Sequence, residues 1–232
     1  MTDSKIKLPV GINIGVDYYP EHWDRALWKD DLQRMKQYGI EVIRLAEFSW
    51  ALMEPEEGKY DFSFWDEFLA LAAEENMKVV FCTPTATPPA WLSEKYPETL
   101  NADGDGNLMY HGMRCQHNLT SPKYLEFCEK ITRRMAEHFN KYDCIIGWQL
   151  DNEPAVQFDY NPKAELAFRD FLRAKYNNDI QLLNNAWGTA FWSEAYSSFD
   201  EITLPKRVQM FMNHHQILDY RRFAASQTND FL

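Results

Sequence analysis

The feature that most constrains the fold is a regular alternation of short apolar runs with longer amphipathic segments. The apolar runs, each typical of a strand, cover residues 11–18, 41–45, 78–83 and 145–150. Amphipathic segments typical of helices lie between them, as at 25–38, where Trp28 and Leu32 share one stripe. Repeated strand–helix units predict an α/β fold with a parallel sheet and right-handed crossovers.

Helix boundary signals locate the other helices. They predict helices from Ser63 to about 75, from Pro122, from Asn161 to 176, over 90–95, over 180–187 with Gly188 as the terminator, and over most of 206–232. Four strands fall short of the eight in a closed β/α barrel of typically about 250 residues. The chain is therefore either an open sheet of another topology or the amino-terminal half of a larger barrel. Neither a second domain nor a repeat is evident over residues 1–232.

Composition excludes several classes of partner. The formal net charge of −11 argues against nucleic acid or an anionic membrane surface as the main partner. No apolar run is long enough for a signal peptide or a membrane span. The four cysteines show no paired spacing, which predicts reduced thiols in a cytoplasmic protein.

The fourth apolar run ends abruptly in polar residues. Because residues 145–150 show little polar alternation, they predict a strand buried on both faces. Asp151, Asn152 and Glu153 follow it directly. A β/α barrel presents its catalytic groups in this way, at the carboxyl ends of its strands. Equally, these residues could form a turn of ordinary loop polarity.

Other residues that could take part in catalysis or metal binding give weaker evidence of a site. Glu47 ends the second strand, and it either faces a site or pairs with a neighbouring cation. His111, Cys115 and His117 lie in one loop, but a metal site needs a further cluster, so unliganded loop residues are the better interpretation. His214 and the adjacent His215 point to different faces of a helix and make a poor chelating pair.

Five segments carry a family resemblance. They are GVDYYPEHW at 15–23, IRLAEFSW at 43–50, TPTATPPAW at 83–91, WQLDNE at 148–153 and WGTAFW at 187–192. With these motifs in this order, the chain resembles the catalytic domain of glycoside hydrolase family 42, the β-galactosidases. The resemblance implies a (β/α)8 TIM barrel, of which about the first half is present. It also implies hydrolysis of terminal β-D-galactosides with retention of configuration and without a cofactor.

The resemblance also implies site residues. Glu153 would be the general acid/base, a role that suits a carboxyl whose pKa is raised by burial among aromatic rings. Asn152 would hydrogen-bond the sugar 2-hydroxyl, Arg114 would contact the sugar, and Trp192 would pack against the galactose site. Without the resemblance, Arg114 reads as a solvated loop charge and Trp192 as a core residue.

The sequence departs from the family pattern in two ways. Some members hold zinc through cysteines, but here Asn118 stands at the first ligand position and 155–167 contains no cysteine, so no metal is expected. The family's nucleophile is a glutamate that would lie beyond Leu232, so the chain alone is expected to be inactive. Its fourth strand would also keep an unpaired edge.

Three other functions stay open. They are a barrel glycosidase of different sugar specificity, a non-catalytic carbohydrate-binding remnant, and a structural or interaction protein. Family members often form trimers, which suggests a homo-oligomer when the protein is full length.

Overall fold

A parallel four-stranded sheet forms the centre of the fold. The computed structural model describes residues 13–232, so the first two residues of the predicted strand 11–18 lie outside the described residues. The strands are β1 (Gly15–Asp17), β2 (Val42–Leu45), β3 (Lys78–Cys82) and β4 (Ile145–Gln149). All three neighbouring pairs are parallel, and the spatial order follows the chain order. The α/β prediction is confirmed.

Eight α-helices of at least four residues occur in the described chain. They are α1 (Arg25–Gln37), α2 (Trp50–Met53), α3 (Ser63–Glu74), α4 (Ala90–Lys95), α5 (Pro122–Phe139), α6 (Pro162–Lys175), α7 (Ile180–Trp187) and α8 (His214–Phe231). Their boundaries follow local chemistry. The Asn161 side chain caps α6 by accepting from two backbone N–H groups, and Gly188 ends α7 in the left-handed conformation with φ +68°.

The final helix lies within the predicted range 206–232 and covers most of it. It begins at His214, and residues 206–213 have no regular secondary structure. Asn213 provides the reason, because its side-chain oxygen accepts from the backbone N–H groups of His215 and Gln216 at 3.0 and 3.3 Å. Such a cap fixes the start of a helix at the next residue.

The chain divides into two compact units. The first comprises Met1–Trp91 and Phe127–Asn152, described from residue 13 onward, and it contains the whole sheet. The second comprises Leu92–Glu126 and Glu153–Leu232. None of the described helices is both long and apolar enough to cross a membrane.

Aromatic side chains dominate the core of the first unit. Trp65 and Phe68 of α3 are fully buried, as is Phe81 of β3. The Trp65 ring meets the Phe81 ring edge-on with centroids 5.5 Å apart, and Phe81 meets Phe139 at 4.8 Å. Edge-to-face contacts of this kind add stabilisation beyond the burial of area. They hold α3 and α5 against the sheet.

The prediction that the fourth strand is buried on both faces is wrong. Every residue of β4 is at least partly exposed, and Trp148 retains 38% of its surface. Leu150, just after the strand, retains 51%. The reason is that β4 pairs only with β3, so no other strand of residues 13–232 pairs with its outer edge. An unpaired edge of this kind was predicted from the resemblance.

A buried carboxylate connects three elements of the second unit. Asp219 of α8 is 2% exposed. Its oxygens accept from the Tyr176 hydroxyl at 2.6 Å, from Trp187 Nε1 at 3.0 Å and from Arg222 at 3.0 Å, and Lys175 is an ion-pair partner. The polar network lies beside a core cluster that contains Phe168, Leu172 and Tyr220.

A second carboxylate network gives a pH prediction for the first unit. Asp66 accepts from the Tyr142 hydroxyl at 2.7 Å and from His138 at 2.8 Å, with Lys141 at 3.2 Å. Burial alone would raise the pKa of Asp66, but these donors outweigh it and lower the pKa below 3.8. The network therefore stabilises the folded state fully above that value, and we expect the contribution to disappear as the pH falls through the lowered pKa.

The measurement compares urea unfolding of the wild type and Asp66→Asn between pH 3 and 6. At pH 6 we expect the variant to be less stable by about 1 kcal/mol, and the difference should shrink below pH 4. Asp170→Asn, which removes an exposed ion pair with Arg173, serves as the control. A difference that stays constant down to pH 3 would contradict the role of Asp66.

Candidate active site

The chain leaves β4 through a tight, buried turn at Asp151. This residue has φ +55° and is 6% exposed. Its backbone N–H donates to the Thr83 hydroxyl at 2.7 Å, and its carboxylate accepts from the Thr85 hydroxyl at 2.6 Å and from the Asn152 backbone N–H at 2.5 Å. Burial raises the pKa of Asp151 although these hydrogen bonds oppose the rise. The turn fixes the backbone of Asn152 at the carboxyl end of the strand.

Arg44 of β2 fixes the Asn152 side chain by a hydrogen bond. Asn152 is 5% exposed, and its Oδ1 accepts from Arg44 Nη1 at 3.2 Å and from Gln149 Nε2 at 3.4 Å. Arg44 also donates to Gln149 Oε1 at 3.2 Å. The carboxamide therefore has a single orientation.

Glu47 holds Arg44 in turn. The Glu47 side chain is fully buried, and its Oε1 lies 3.0 Å from Arg44 Nη2 and accepts from the Tyr19 hydroxyl at 2.7 Å. This arrangement is the cation pairing that the sequence left open for Glu47. Burial, together with the negative charge of Glu47, raises the pKa of Tyr19 and raises that of Cys82 to about 12. Both groups stay neutral beside the ion pair.

Glu153 and Arg114 form an ion pair in the second unit. Glu153 Oε2 lies 2.8 Å from Arg114 Nη1, and the two side chains retain 72% and 42% of their surfaces. The expectation that Glu153 is buried among aromatic rings is wrong. The segment 153–156 lies entirely on the surface of its unit, so no apolar side chains enclose the carboxylate.

Trp192 is an exposed side chain of the same unit. It retains 79% of its surface, and its ring contacts Phe191 edge-on with centroids 4.9 Å apart. The interpretation of Trp192 as a core residue is therefore wrong. It borders a groove of about 740 Å³ whose other walls include Trp187, Met210, Phe211 and His214.

Left-handed backbone occurs at or beside all four candidate side chains. Glu153 has φ +48° and Trp192 has φ +62°, and Cys115, directly after Arg114, has φ +64°. Non-glycine residues in this region cost free energy, and such strain is concentrated at active sites and ligand sites. Asn152 lies between two left-handed residues, Asp151 and Glu153.

The residues available do not fit a zinc–thiolate site. Asn118 is 1% exposed, and its Oδ1 accepts from the Thr120 backbone N–H at 2.7 Å and from the Thr120 hydroxyl at 2.6 Å. A carboxamide is not a thiolate, and no cysteine follows at 155–167. Within residues 13–232, no group of three or more His, Cys, Asp or Glu side chains is placed to hold a metal ion.

His117, from the same loop, is a core residue of the second unit. It is 2% exposed and stacks on the Tyr124 ring with centroids 4.5 Å apart. Burial lowers its pKa to about 4, so the imidazole is neutral at pH 7.

The structure thus brings together Arg114 and Glu153 among the candidates, and it joins Asn152 to residues that sequence reasoning assigned no role. Arg44 and Gln149 contact Asn152 directly, and Tyr19 contributes through its hydrogen bond to Glu47. Arg44 carried a usable signal, because it lies inside the second apolar run, 41–45, whose other charged residue, Glu41, stands at the edge. A charge within a buried strand needs a partner and marks a site worth testing.

Comparison with known proteins identifies the family. Residues 17–232 match the family model for glycoside hydrolase family 42, described as beta-galactosidase. The chain belongs to this family. Its resemblance on the five motifs is thereby confirmed for nearly the whole sequence.

Curated beta-galactosidases are similar to this chain over part of their length. Beta-galactosidase BgaA of Thermus sp and the beta-galactosidase of Thermus thermophilus are each 43% identical over 221 residues, which is 94% of this chain and 34% of each relative. The chain therefore spans about a third of the length of the curated relatives that it matches.

Solved family 42 structures share the fold. The beta-galactosidase of Marinomonas ef1 is 37% identical with a TM-score of 0.90, covering 95% of this chain and 34% of that one. The cold-adapted enzyme of Rahnella sp. R3 is 32% identical with a TM-score of 0.92, covering 97% and 33%. The prediction of about the first half of a TIM barrel is confirmed.

Proposed function

We propose that the protein carrying this chain is a retaining β-galactosidase that hydrolyses terminal non-reducing β-D-galactosides. Membership of family 42 over residues 17–232 supports the galactoside as substrate. The observation that carries the proposal is the Arg114–Glu153 pair, with a 2.8 Å contact directly after β4. It combines a proton-transfer group with a cation that can bind hydroxyls, at the end of a barrel strand.

In this mechanism Glu153 acts twice. As general acid it gives its proton to the glycosidic oxygen while the bond to the anomeric carbon breaks and a carboxylate nucleophile forms a glycosyl–enzyme ester. As general base it then takes a proton from water, whose oxygen attacks the same carbon and releases the carboxylate. Arg114 would bind the sugar, Asn152 the 2-hydroxyl, and Trp192 would stack on the apolar face of the galactose ring. No cofactor is required.

A retaining enzyme needs a second carboxyl group roughly 5–5.5 Å from the first. The resemblance matches only one carboxylate of this chain, Glu153. Because the relatives are about three times as long, we propose that the nucleophile belongs to a further part of the whole protein. The 232-residue chain by itself is then expected to show no turnover.

The stereochemistry of hydrolysis tests the proposal. When the whole protein hydrolyses an aryl β-galactoside, proton NMR should show β-galactose as the first product, with α-galactose appearing later by mutarotation. α-Galactose as the first product would refute double displacement. Galactose binding without any turnover would instead favour a carbohydrate-binding remnant, and faster turnover of another glycoside would indicate a different specificity.

The cysteines and the family resemblance suggest two further properties. None of the four cysteines, all within residues 13–232, forms a disulfide, as in proteins of reducing compartments, and we propose a cytoplasmic location. We also propose a homo-oligomer, a trimer by the family resemblance, which sedimentation of the whole protein would test.

A further inference from the structure

A small cavity lies inside the second unit, between the loop that carries Arg114 and α8. It measures about 20 Å³ and is lined by residues of that loop, of the segment after Glu153, of α6 and of α8. Buried side chains form most of its wall, among them Asn118, Asp159 and Tyr220. One water molecule needs a cavity of at least about 10–15 Å³, so there is room for one water and for no larger ligand.

Asn118 has an unpaired hydrogen-bond donor at this cavity. Its Oδ1 accepts from the Thr120 backbone N–H at 2.7 Å and from the Thr120 hydroxyl at 2.6 Å. A backbone N–H is a donor only, so the atom that faces it must be the carboxamide oxygen. The other end of the carboxamide, Nδ2, is buried without a hydrogen-bond partner among residues 13–232, and Asn118 is 1% exposed.

Gln157 has the matching unpaired acceptor. Its Nε2 lies 3.2 Å from Nε2 of the buried His117 ring, which fixes one end of the carboxamide. Its Oε1 is buried and has no hydrogen-bond partner in the part of the chain that the structure describes. A buried polar atom that stays unpaired costs its full desolvation free energy, and native proteins usually avoid this cost with a protein partner or an ordered water.

We propose that this cavity is a binding site for one buried water molecule, which accepts from Asn118 Nδ2 and donates to Gln157 Oε1. Thr120 lines the same cavity and provides a further acceptor, because its hydroxyl hydrogen is given to Asn118 and its lone pairs remain. The water then has three partners, the usual number for a buried water. The inference does not depend on the proposed function.

Other small ligands do not fit this cavity. A cation would meet the N–H hydrogens of Asn118, and within residues 13–232 no three His, Cys, Asp or Glu side chains converge to hold a metal ion. An anion would lie beside the carboxyl group of Asp159, which lines the cavity. Cavities that stay empty have apolar walls. Water fits because it is small and can both accept and donate.

The water site joins the two segments that carry the Arg114–Glu153 ion pair. Asn118 lies four positions after Arg114, and Gln157 lies four positions after Glu153. A bridging water is nearly as favourable in enthalpy as a direct hydrogen bond. The bound water is therefore a structural cross-link of the second unit, placed a short way along the chain from both members of the ion pair.

A high-resolution crystal structure of the whole protein tests the site directly. We expect one ordered water at roughly 2.7–3.2 Å from both Asn118 Nδ2 and Gln157 Oε1. A cavity without electron density would overturn the inference, and so would a direct hydrogen bond between the two side chains. A bound atom at roughly 2.0–2.2 Å from its ligands would indicate a metal ion and would also overturn it.

A double-mutant cycle on the whole protein tests the energetic role of the water. Ala224 of α8 lines the cavity, so Ala224→Val should displace the water and leave Gln157 Oε1 unpaired. We expect Gln157→Met alone to lower the midpoint of thermal unfolding by roughly 1–4 °C. Added to Ala224→Val, the same substitution should lower it much less, because the acceptor that it removes has already lost its partner. The loss of the His117 contact is common to both backgrounds and cancels.

Ala225→Val is the matched control, since Ala225 follows on the same helix and does not line the cavity. In this background Gln157→Met should cost as much as it does in the wild type. Equal costs in the Ala224→Val and Ala225→Val backgrounds would refute the water bridge. Should Ala224→Val not fold, the wild-type crystal structure decides by itself.

Discussion

Replacement of Glu153 by alanine is expected to lower kcat/KM for galactosides with poor leaving groups by roughly 10²–10⁴-fold. Without the proton donor, an alkoxide leaving group departs unprotonated and the first step slows. A 2,4-dinitrophenyl leaving group needs no proton, so its departure should be affected far less. The kcat/KM values of Glu153→Ala for an alkyl and a dinitrophenyl galactoside, measured on the whole protein, check this.

Hydrolysis of the glycosyl–enzyme, the second step of the mechanism, provides a further test with Glu153→Ala. Glu153→Ala also lacks the base that activates water, so azide, which needs no base, should accelerate breakdown of the glycosyl–enzyme and give β-galactosyl azide. Glu94→Ala, an exposed carboxylate on α4 of the same unit, should behave as wild type in both assays. An equal loss for both leaving groups without azide rescue would mean that Glu153 is not the acid/base.

Removal of Asp219 is expected to have the largest effect on stability. Asp219→Ala should lower the free energy of unfolding of the second unit by about 3–5 kcal/mol, because it leaves the buried donors of Tyr176 and Trp187 and the ammonium of Lys175 without their partner. Urea unfolding followed by tryptophan fluorescence measures the loss. Asp200→Ala, which removes a largely exposed partner of Arg173, should cost less than about 1 kcal/mol.

The pH dependence of the free energy of unfolding provides a second test of the role of Asp219. Burial alone would raise the pKa of this carboxyl, but its hydrogen bonds and ion pairs outweigh burial and lower the pKa below 3.8. The stabilisation is complete above that value and is lost as the pH falls through the lowered pKa. The difference in free energy of unfolding between the wild type and Asp219→Ala should therefore become smaller as the pH falls through the lowered pKa. A loss below about 1 kcal/mol at neutral pH would contradict the central role of Asp219.

Much of the fold was predictable because helix ends depend on neighbouring residues in the chain. Asn161 before Pro162 and Gly188 after Trp187 mark helix boundaries that the structure reproduces. The same local reasoning left the start of the final helix open within 206–232, and the Asn213 cap fixes it at His214.

The site was predictable only in part. The motif WQLDNE located Glu153 after β4, but its exposure and its pairing with Arg114, 39 positions earlier, depend on the folded chain. From the sequence Trp192 was either a core residue or a site residue, and its 79% exposure excludes the core position. Side-chain environments come from distant segments, which no local pattern contains.

The sequence by itself determined the alternation of strands and helices, the family and the placing of an Asn–Glu pair at a strand end, since these depend on local periodicity and motif order. Only the tertiary structure decided that β4 is partly exposed. It also decided that Glu47, which accepts from Tyr19, pairs with Arg44, and that Arg44 donates to Asn152. The physical reason is that burial and hydrogen-bond partners are set by residues up to 108 positions apart, which become neighbours when β2 and β4 join one sheet.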